Sequence, residues 1–180
     1  MKTQISVILF ILLMCPVACT KNDDADTNNI SGSFYPMSIG NYWKINEANY
    51  TKIVDTVKIG SNLFYKFYSL IGGDGIAIEY LRIDEENNLI GGLPDDPQWK
   101  SMHAKFNSIV GDTFYRLNDP LLSDYRIVTT FKNNDTIKFE WERINHPYMH
   151  NKSTKAYKRG FGLLGNWKEV NINNELIILK

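Results

Sequence analysis

The chain contains very little cysteine. It has 2 cysteines in 180 residues, Cys15 and Cys19, and both lie near the N-terminus. The sequence after Cys19 therefore has no thiol that could form a disulfide or ligate a metal. It also has no excess of charge, because 20 basic residues balance 20 acidic ones. Without a basic surface, we expect no nucleic acid among its partners.

Motifs for covalent catalysis and phosphate binding are missing as well. The sequence has no Gly-x-Ser-x-Gly segment, and its glycine cluster at 72–75 lacks the lysine of a phosphate-binding loop. Acidic residues at 84–86 and 95–96 could supply the carboxylate pair that glycosidases use. Both groups fall in predicted turns, where solvated acids are the ordinary explanation. We therefore expect no enzyme activity and no cofactor.

Two histidines have a spacing that is found in metal sites. His146 and His150 are four residues apart, which brings two imidazoles to one ion when the segment is helical. Pro147 disfavours a helix here, and no glutamate lies between the pair. His103 would join them only through tertiary contact. We keep His146 and His150 as the candidates but expect no metal.

The N-terminus has the layout of a secretory signal. A short basic start and an apolar run at 5–14 precede Pro-Val-Ala-Cys at 16–19, and the run is too short for a membrane span. The tetrad resembles the lipobox of bacterial lipoproteins, except at Pro16, where leucine is usual. The resemblance implies that residues 1–18 are removed and that Cys19 carries acyl chains such as palmitate. The chain would then reach its membrane partner through these acyl chains.

Residues 19–33 have the composition of a flexible acidic tether. They include many turn formers and no aromatic residue, so they cannot bury enough surface to become ordered. Asp23, Asp24 and Asp26 resemble the acidic export signal that directs lipoproteins of Bacteroidetes bacteria to the outer face of the outer membrane. Ordinary solvation of a linker is the alternative. Outward display in the outer membrane is thus the predicted location, with the periplasmic face as the other option.

Residues 34–180 are predicted to form an all-β domain. Period-two alternation separates short turn segments, and such short connections favour antiparallel hairpins. We expect a single meander that forms a curved sheet or barrel, with a β-sandwich as the alternative. The segment near 95–107 lacks β-branched residues and is expected to be a loop or one short helix. The predicted strands are 41–45, 52–59, 62–70, 75–83, 113–117, 124–132, 136–144, 155–158, 163–170 and 175–179.

The clearest element is the hairpin at 124–144. In its second strand, Phe139 and Trp141 alternate with charged residues, as expected of a sheet with one buried and one solvated face. Large aromatic residues supply much of the apolar area in such a domain. We therefore expect Trp43, Phe139 and Trp141 to be buried.

Two further segments resemble motifs of uncharacterised Bacteroidetes lipoproteins. The start of the domain, Phe-Tyr-Pro-Met-Ser-Ile-Gly-Asn-Tyr-Trp at 34–43, is similar to their "FPL-x-x-G-N-x-W" opening. The segment Ala-Tyr-Lys-Arg-Gly-Phe-Gly-Leu-Leu at 156–164 is similar to their "Y-x-x-G-x-G-L" strand. The resemblance implies an antiparallel β domain on a lipid anchor, without an established activity. Physically, Gly40 suits a turn, while Gly160 and Gly162 suit a kinked strand with a close backbone approach.

Several side chains are candidates for ligand contact or modification. Trp99 and Tyr148 lie in predicted loops, where they could form an exposed stacking platform. Thr56 and Thr136 each follow aspartate and precede an aliphatic residue, which resembles an O-glycosylation sequon of exported Bacteroidetes proteins. Both threonines are predicted at or near turns.

Three functions fit these observations. The first is a lipid-anchored, surface-displayed binding or accessory module, without enzyme activity, for a glycan, a lipid or a protein. The second is a carrier of lipid or lipoprotein with an apolar barrel lumen. The third is a hydrolase that uses the loop carboxylates. A packed or hollow interior separates the first from the second.

Overall fold

The computed structural model describes residues 32–119, 121, 123–146, 148 and 151–179. Thirteen β-strands lie in this part of the chain, and every strand pairing is antiparallel. This confirms the predicted all-β domain. The strands are β1 Tyr42–Asn46, β2 Asn49–Ile59, β3 Asn62–Ile71, β4 Gly75–Ile83, β5 Asn88–Leu93, β6 Asp96–Lys105, β7 Thr113–Tyr115, β8 Asp124–Lys132, β9 Thr136–Ile144, β10 Lys152–Lys158, β11 Gly162–Leu163, β12 Glu169–Ile172 and β13 Glu175–Ile178.

The strands form two sheets instead of one closed barrel. The large sheet has the order β13-β12-β1-β2-β3-β4-β5-β6, and the small sheet has the order β11-β10-β9-β8-β7. Neighbouring strands mostly follow chain order, as the predicted meander requires. The chain leaves the large sheet between Lys105 and Thr113 and continues in the small sheet, so the barrel, one of the forms expected for the meander, was wrong. Alternation along a strand cannot show where one sheet stops and another begins, because both sheets have the same period.

The prediction of a loop or short helix near 95–107 is also wrong, because β6 occupies Asp96–Lys105. Its partner β5 was not predicted, since the pair Gly91-Gly92 weakens the strand pattern. The two strands pair with each other, with two register irregularities. This pairing stabilises an extended conformation that the local composition of either segment did not predict. The predicted strand at 163–170 divides into β11 and β12, which belong to different sheets.

The hydrophobic core lies between the two sheets. Trp43, Phe139 and Trp141 are 1%, 0% and 3% exposed, which confirms their predicted burial. Tyr35, from the segment before β1, stacks on Phe67 of the large sheet with ring centroids 5.5 Å apart. The buried cluster also contains Phe34, Ile53, Leu81, Leu89, Ala104, Phe106, Phe114, Ile127, Ile137, Tyr157, Val170 and Ile172.

Several sequence predictions fall outside the described residues. These are the signal at 1–18, the acyl site Cys19, the acidic part of the tether, and His150. Within the described residues, no helix is both long and apolar enough to cross a membrane.

Candidate functional site

The inward face of the small sheet changes from apolar to polar along its strands. Residues directly opposite each other in paired strands share a face. Ile127 pairs with Trp141, and Phe139 pairs with Lys155. Ile127 and Phe139 are both 0% exposed, so this face points into the core. The side chain of Lys155 therefore points inward, towards the large sheet.

Arg116 joins the same inward face just beyond the end of β7. Its backbone N–H donates to the carbonyl of Tyr125 at 3.0 Å, which extends the β7–β8 pairing by one residue. Phe114, two residues earlier, is buried in the core, and alternation places Arg116 on the same side. The N–H of Met102 in β6 donates to the Arg116 carbonyl at 2.7 Å. This bond connects the edge strand of the large sheet to the small sheet.

A serine–histidine pair on β6 lies close to these residues. Ser101 Oγ and His103 Nε2 are 3.0 Å apart. The His103 ring meets the Trp141 ring edge-on, with centroids 6.3 Å apart. We refer to the residues that meet here as the inter-sheet cluster, and they are Ser101, His103, Arg116, Trp141 and Lys155.

Gly91 leaves room for the serine–histidine pair. A Cβ atom at this position would lie 2.6 Å from Ser101 Oγ and 2.9 Å from His103 Nε2. Both distances are shorter than van der Waals contact, so a side chain here would displace the pair. The glycine that weakened the sequence pattern of β5 thus has a packing role in the cluster.

The ammonium group of Lys155 places a positive charge in the inter-sheet cluster. Its Nζ lies 3.7 Å above the centroid of the Trp141 ring, in a cation–π contact. Burial lowers the pKa of Lys155, Glu79 opposes that change, and Arg116 adds to it. Within the described part of the chain, no carboxylate lies within 4.0 Å of its ammonium group.

Glu79 faces the cluster from the large sheet. It pairs with Phe67, whose side chain is buried in the core, so both point inward. Burial, followed by the charge of Glu79, raises the pKa of Tyr157. Glu79 itself is exposed, which means that solvent reaches the inward face of β4 at this point.

His103 is neutral at physiological pH. Burial, followed by the charges of Lys155 and Arg116, lowers its pKa to about 3. A neutral imidazole beside a hydroxyl is one arrangement that activates serine nucleophiles. Ser101 is only 1% exposed, however, so a substrate cannot reach its oxygen without opening the sheets. The pair therefore acts as a buried polar contact in this structure.

Two N–H donors of the cluster have no acceptor among the described residues. They are Arg116 Nε and Trp141 Nε1, and both atoms are buried. Leaving a buried donor unsatisfied costs about 1–3 kcal/mol, so such groups are rare in native proteins. Together with Lys155, they form a set of inward-facing donors and positive charges for which the described part of the chain offers no acceptor.

The residues predicted from sequence lie elsewhere. Trp99 is in β6, not in a loop as predicted, and is partly exposed. Tyr148 lies in the connection between β9 and β10 and is 89% exposed. Within the described residues, no ring contact joins them, so they do not form a shared platform.

The threonines proposed for O-glycosylation are both in strands. Thr136 is the first residue of β9, close to the predicted turn. Thr56 lies inside β2 and pairs with Tyr65 of β3, so its predicted position near a turn was wrong. Both threonines are partly exposed.

Two of the carboxylates considered for a hydrolase, those of Asp84 and Asp96, accept hydrogen bonds from backbone N–H groups a few residues further along the chain. Asp84 accepts hydrogen bonds from the backbone N–H groups of Glu86 and Asn88, at 3.0 and 2.8 Å. Asp96 likewise accepts from the N–H of Gln98 at 3.2 Å. These contacts are those of turn-forming residues.

The structure does not bring the candidate metal ligands His103 and His146 together. His146 Nδ1 accepts a hydrogen bond from the N–H of Tyr148 at 3.2 Å. His103 lies in the inter-sheet cluster, packed against Trp141. The described residues contain no group of three histidine, cysteine, aspartate or glutamate side chains that could hold a metal.

The inter-sheet cluster was missed because its members come from β6, β9, β10 and the end of β7. One local signal was present in the sequence. Lys155 lies two residues before Tyr157, so strict alternation in β10 places a lysine on the same face as a buried tyrosine. The chain matches no protein-family model, no curated protein and no solved structure.

Proposed function

We propose that the protein is a lipid-anchored binding or accessory module, without enzyme activity, that is displayed outward from the outer membrane. Its ligand would be a glycan, a lipid or a protein. The observation that carries this proposal is the position of the chain's entry into the domain. An anchor upstream of that entry leaves the opposite end of the small sheet free to meet a ligand.

The chain enters beside two turns at one end of the small sheet. The Gly160 N–H donates to the Ser33 carbonyl at 2.8 Å, and the Arg159 guanidinium donates to the carbonyls of Gly32 and Asn134. The strand β9 starts next to these turns at Thr136. It has 9 residues, which carry the chain roughly 25 Å to the other end of the sheet.

The opposite end presents exposed apolar side chains. Leu121, between β7 and β8, is 91% exposed, and Tyr148, between β9 and β10, is 89% exposed. Leu121 comes shortly before Asp124, and Tyr148 comes shortly after Ile144. Asp124 and Ile144 are paired, so the two connections lie at the same end of the sheet. Contiguous exposed apolar patches often mark interaction sites, and these two side chains are the most exposed large apolar ones among the described residues. Their location supports a ligand-binding end that points away from the anchor.

The packing of the core favours this module over a carrier with an apolar lumen. Aromatic rings fill the space between the sheets where a lumen would be. Phe34 stacks on Phe106 at 5.3 Å, and Tyr35 contacts Trp43 at 5.3 Å and Tyr157 at 5.7 Å between ring centroids. A lipid chain would have to displace these contacts. The hydrolase is also less well supported, because Asp84 and Asp96 accept hydrogen bonds from nearby backbone N–H groups, as turn-forming residues do.

Acylation of Cys19 is the first expected result. Mass spectrometry of the mature protein should show a chain that starts at Cys19 and carries acyl chains, and protease added to intact cells should cleave the domain. Cys19→Ser should lose the modification and the membrane association. A start at another residue, or an unmodified cysteine, would contradict both the anchor and the proposed location.

Binding itself is tested with the acylated protein in detergent micelles on glycan and protein arrays and with lipid vesicles. We expect Tyr148→Ala to weaken binding at least tenfold, because it removes a highly exposed aromatic ring at the far end. Phe131→Ala is the matched control, since Phe131 is a 40% exposed ring near the opposite end of β8. Equal binding by both variants would contradict the proposed binding end, and a protein that binds no ligand class would contradict the function.

A further inference from the structure

The large sheet ends in β13, and the outer edge of this strand has no neighbouring strand among the described residues. The sheet order places β12 beside β13 at the end of the sheet. Leu176 and Ile178 of β13 are 55% and 64% exposed. A strand edge of this kind presents unpaired N–H and C=O groups, to which another strand can add. The edge of β13 is therefore a candidate interaction surface.

The hairpin of β12 and β13 determines which backbone groups face this edge. Its turn at 173–174 has φ of +54° and +67°, as in the type I′ turn of a two-residue hairpin. The Leu179 N–H donates to the Lys168 carbonyl at 2.8 Å, across to the strand side of β12. Hydrogen-bonded pairs alternate with non-hydrogen-bonded pairs along an antiparallel ladder. Ile177, two residues before Leu179, therefore also directs its N–H and C=O groups to β12, and its two neighbours direct theirs away.

These neighbours are Leu176 and Ile178, the two exposed residues. Within the described part of the chain, their backbone N–H and C=O groups have no partner. Ile177 pairs with Val170, which is buried in the core, so alternation places the side chains of Leu176 and Ile178 on the outer face of the sheet. The residues with unpaired backbone groups thus also present exposed apolar side chains.

The opposite edge of the large sheet is protected from further pairing. There, β6 contains Pro97 near its start, and its pairing with β5 is irregular at two points. The Met102 N–H of β6 donates to the Arg116 carbonyl beside the small sheet at 2.7 Å. Proline, irregular pairing and cover by another element all hinder the addition of a strand. By contrast, β13 has the sequence Glu-Leu-Ile-Ile at 175–178, without proline or lysine, and its pairing with β12 is regular.

We propose that β13 pairs antiparallel with β13 of a second copy of this chain, about a twofold axis at Ile177, so that two large sheets join edge to edge. In this register, Leu176 of each copy lies opposite Ile178 of the other. An antiparallel hydrogen-bonded pair exchanges two hydrogen bonds, and two such pairs form, so about four bonds satisfy all the edge-facing groups of both residues. The pairing goes beyond the proposed ligand binding and does not depend on it.

The strand is complementary to itself in this register, as a twofold interface requires. Leu176 and Ile178 side chains lie side by side on the outer face and cover part of each other's apolar surface. Glu175 lies opposite Leu179, so no like charges face each other. A register with Leu176 opposite its own copy would place Ile178 opposite Asn174, whose φ of +67° is not that of a strand.

The interface is small, so the pair is expected to be weak in dilute solution. A strand of 4 residues contributes much less area than the roughly 1,200 Å² that stable interfaces bury. The proposed acyl anchor would confine the copies to one membrane surface and raise their effective concentration. We therefore expect pairing when the protein is held on a lipid bilayer.

Disulfide cross-linking of the acylated full chain in phosphatidylcholine vesicles tests the register. The sequence has no cysteine after Cys19, so wild type measures the background. Ile177→Cys places one cysteine on the axis, where opposite Cα atoms would lie about 4.5 Å apart, within the roughly 4.4–6.8 Å that a disulfide spans. In Leu176→Cys and Ile178→Cys, the matched controls, the two cysteines would be diagonal neighbours about 7–8 Å apart.

Under mild oxidation, we expect at least tenfold more cross-linked dimer from Ile177→Cys than from either control or wild type. Random collision would give the opposite order, because Leu176 and Ile178 are more exposed than Ile177. Cross-linking in a control that equals or exceeds that of Ile177→Cys would overturn the register, and background levels in all three variants would overturn the pairing.

Two further variants protect the test from a folding defect, since Ile177 packs against the core. The double variant Leu176→Cys/Ile178→Cys changes only exposed side chains and should cross-link at least tenfold more than either single control. Ile178→Pro, added to Ile177→Cys, removes one edge-facing N–H without a bond to β12, and proline is tolerated in edge strands. It should reduce cross-linking at least tenfold. Failure of the double variant to exceed its single controls, or unchanged cross-linking with Ile178→Pro, would overturn the proposal.

Discussion

Gly162→Ala is expected to destabilise the domain by about 3 kcal/mol, from backbone strain together with overpacking. Gly162 has a φ of +95°, in the left-handed region that residues with a Cβ rarely adopt. A Cβ at this position would lie 2.8 Å from Trp43 Cζ2 and 2.8 Å from Tyr35 Cδ2. Both rings belong to the packed core, so neither can move without disturbing its neighbours.

Urea denaturation of the wild type and the variant measures this loss. Gly111→Ala is a matched control, because Gly111 has a φ of +97° but no atom within 4 Å of the place where a Cβ would lie. It should lose only the strain, about 1 kcal/mol. Similar losses in the two variants would show that the contact with Trp43 and Tyr35 relaxes easily and is not a constraint on the fold.

The same contact gives a physical role to the two segments that resemble lipoprotein motifs. Trp43 Nε1 donates to the carbonyl of Phe161 at 2.8 Å, so a hydrogen bond links the segment 34–43 to the segment 156–164. Tyr35 and Tyr157, one from each segment, meet edge-on at 5.7 Å. The residues that carry the resemblance are therefore packed against one another. Their contribution is structural, as the glycines and the tryptophan suggested.

Acidification should destabilise the domain through His103. Burial, followed by the charges of Lys155 and Arg116, lowers the pKa of this imidazole from 6.5 to about 3. The unfolded chain therefore binds a proton between these pH values while the folded chain does not. The stabilisation is complete above pH 6.5 and is lost as the pH falls towards 3, by up to about 1.4 kcal/mol per pH unit.

Denaturation curves at a series of pH values, for the wild type and His103→Gln, separate this effect from the titration of carboxylates. The slope of stability against pH between about 4 and 6.5 should be shallower in the variant, because glutamine does not titrate. His146→Gln is the control, since His146 lies outside the core in the connection after β9. Parallel curves for the wild type and His103→Gln would contradict a buried neutral imidazole.

The hairpin of β8 and β9 is an element whose bounds the sequence pattern predicted correctly. Its strands, Asp124–Lys132 and Thr136–Ile144, have the predicted bounds. Alternation in the second strand and a turn of asparagine and aspartate at 133–135 define it locally. Where this local signal is weak, the prediction fails. β5 contains two adjacent glycines, and β6 lacks the β-branched residues that indicate a strand, so both needed pairing partners to form.

The candidate site could not be predicted for a related reason. Lys155 and Trp141 lie on neighbouring strands, but the inward orientation of Lys155 depends on the pairing of β10 with β9. His103 reaches Trp141 from the other sheet. Cross-sheet contacts of this kind depend on how the two sheets are placed, which short-range alternation does not encode. Side chains that the sequence suggested, Trp99 and Tyr148, are separate in the fold.

The sequence by itself determined the antiparallel β class, most of the hairpins, and the burial of Trp43, Phe139 and Trp141, because alternation and turn residues act over a few neighbouring positions. The tertiary structure alone decided that the strands divide into two sheets, that most of 95–107 forms a strand, and that Lys155 and Arg116 face inward without ion-pair partners among the described residues. These features depend on hydrogen bonds and packing between segments far apart in the chain, where each partner's conformation is stabilised only by the other.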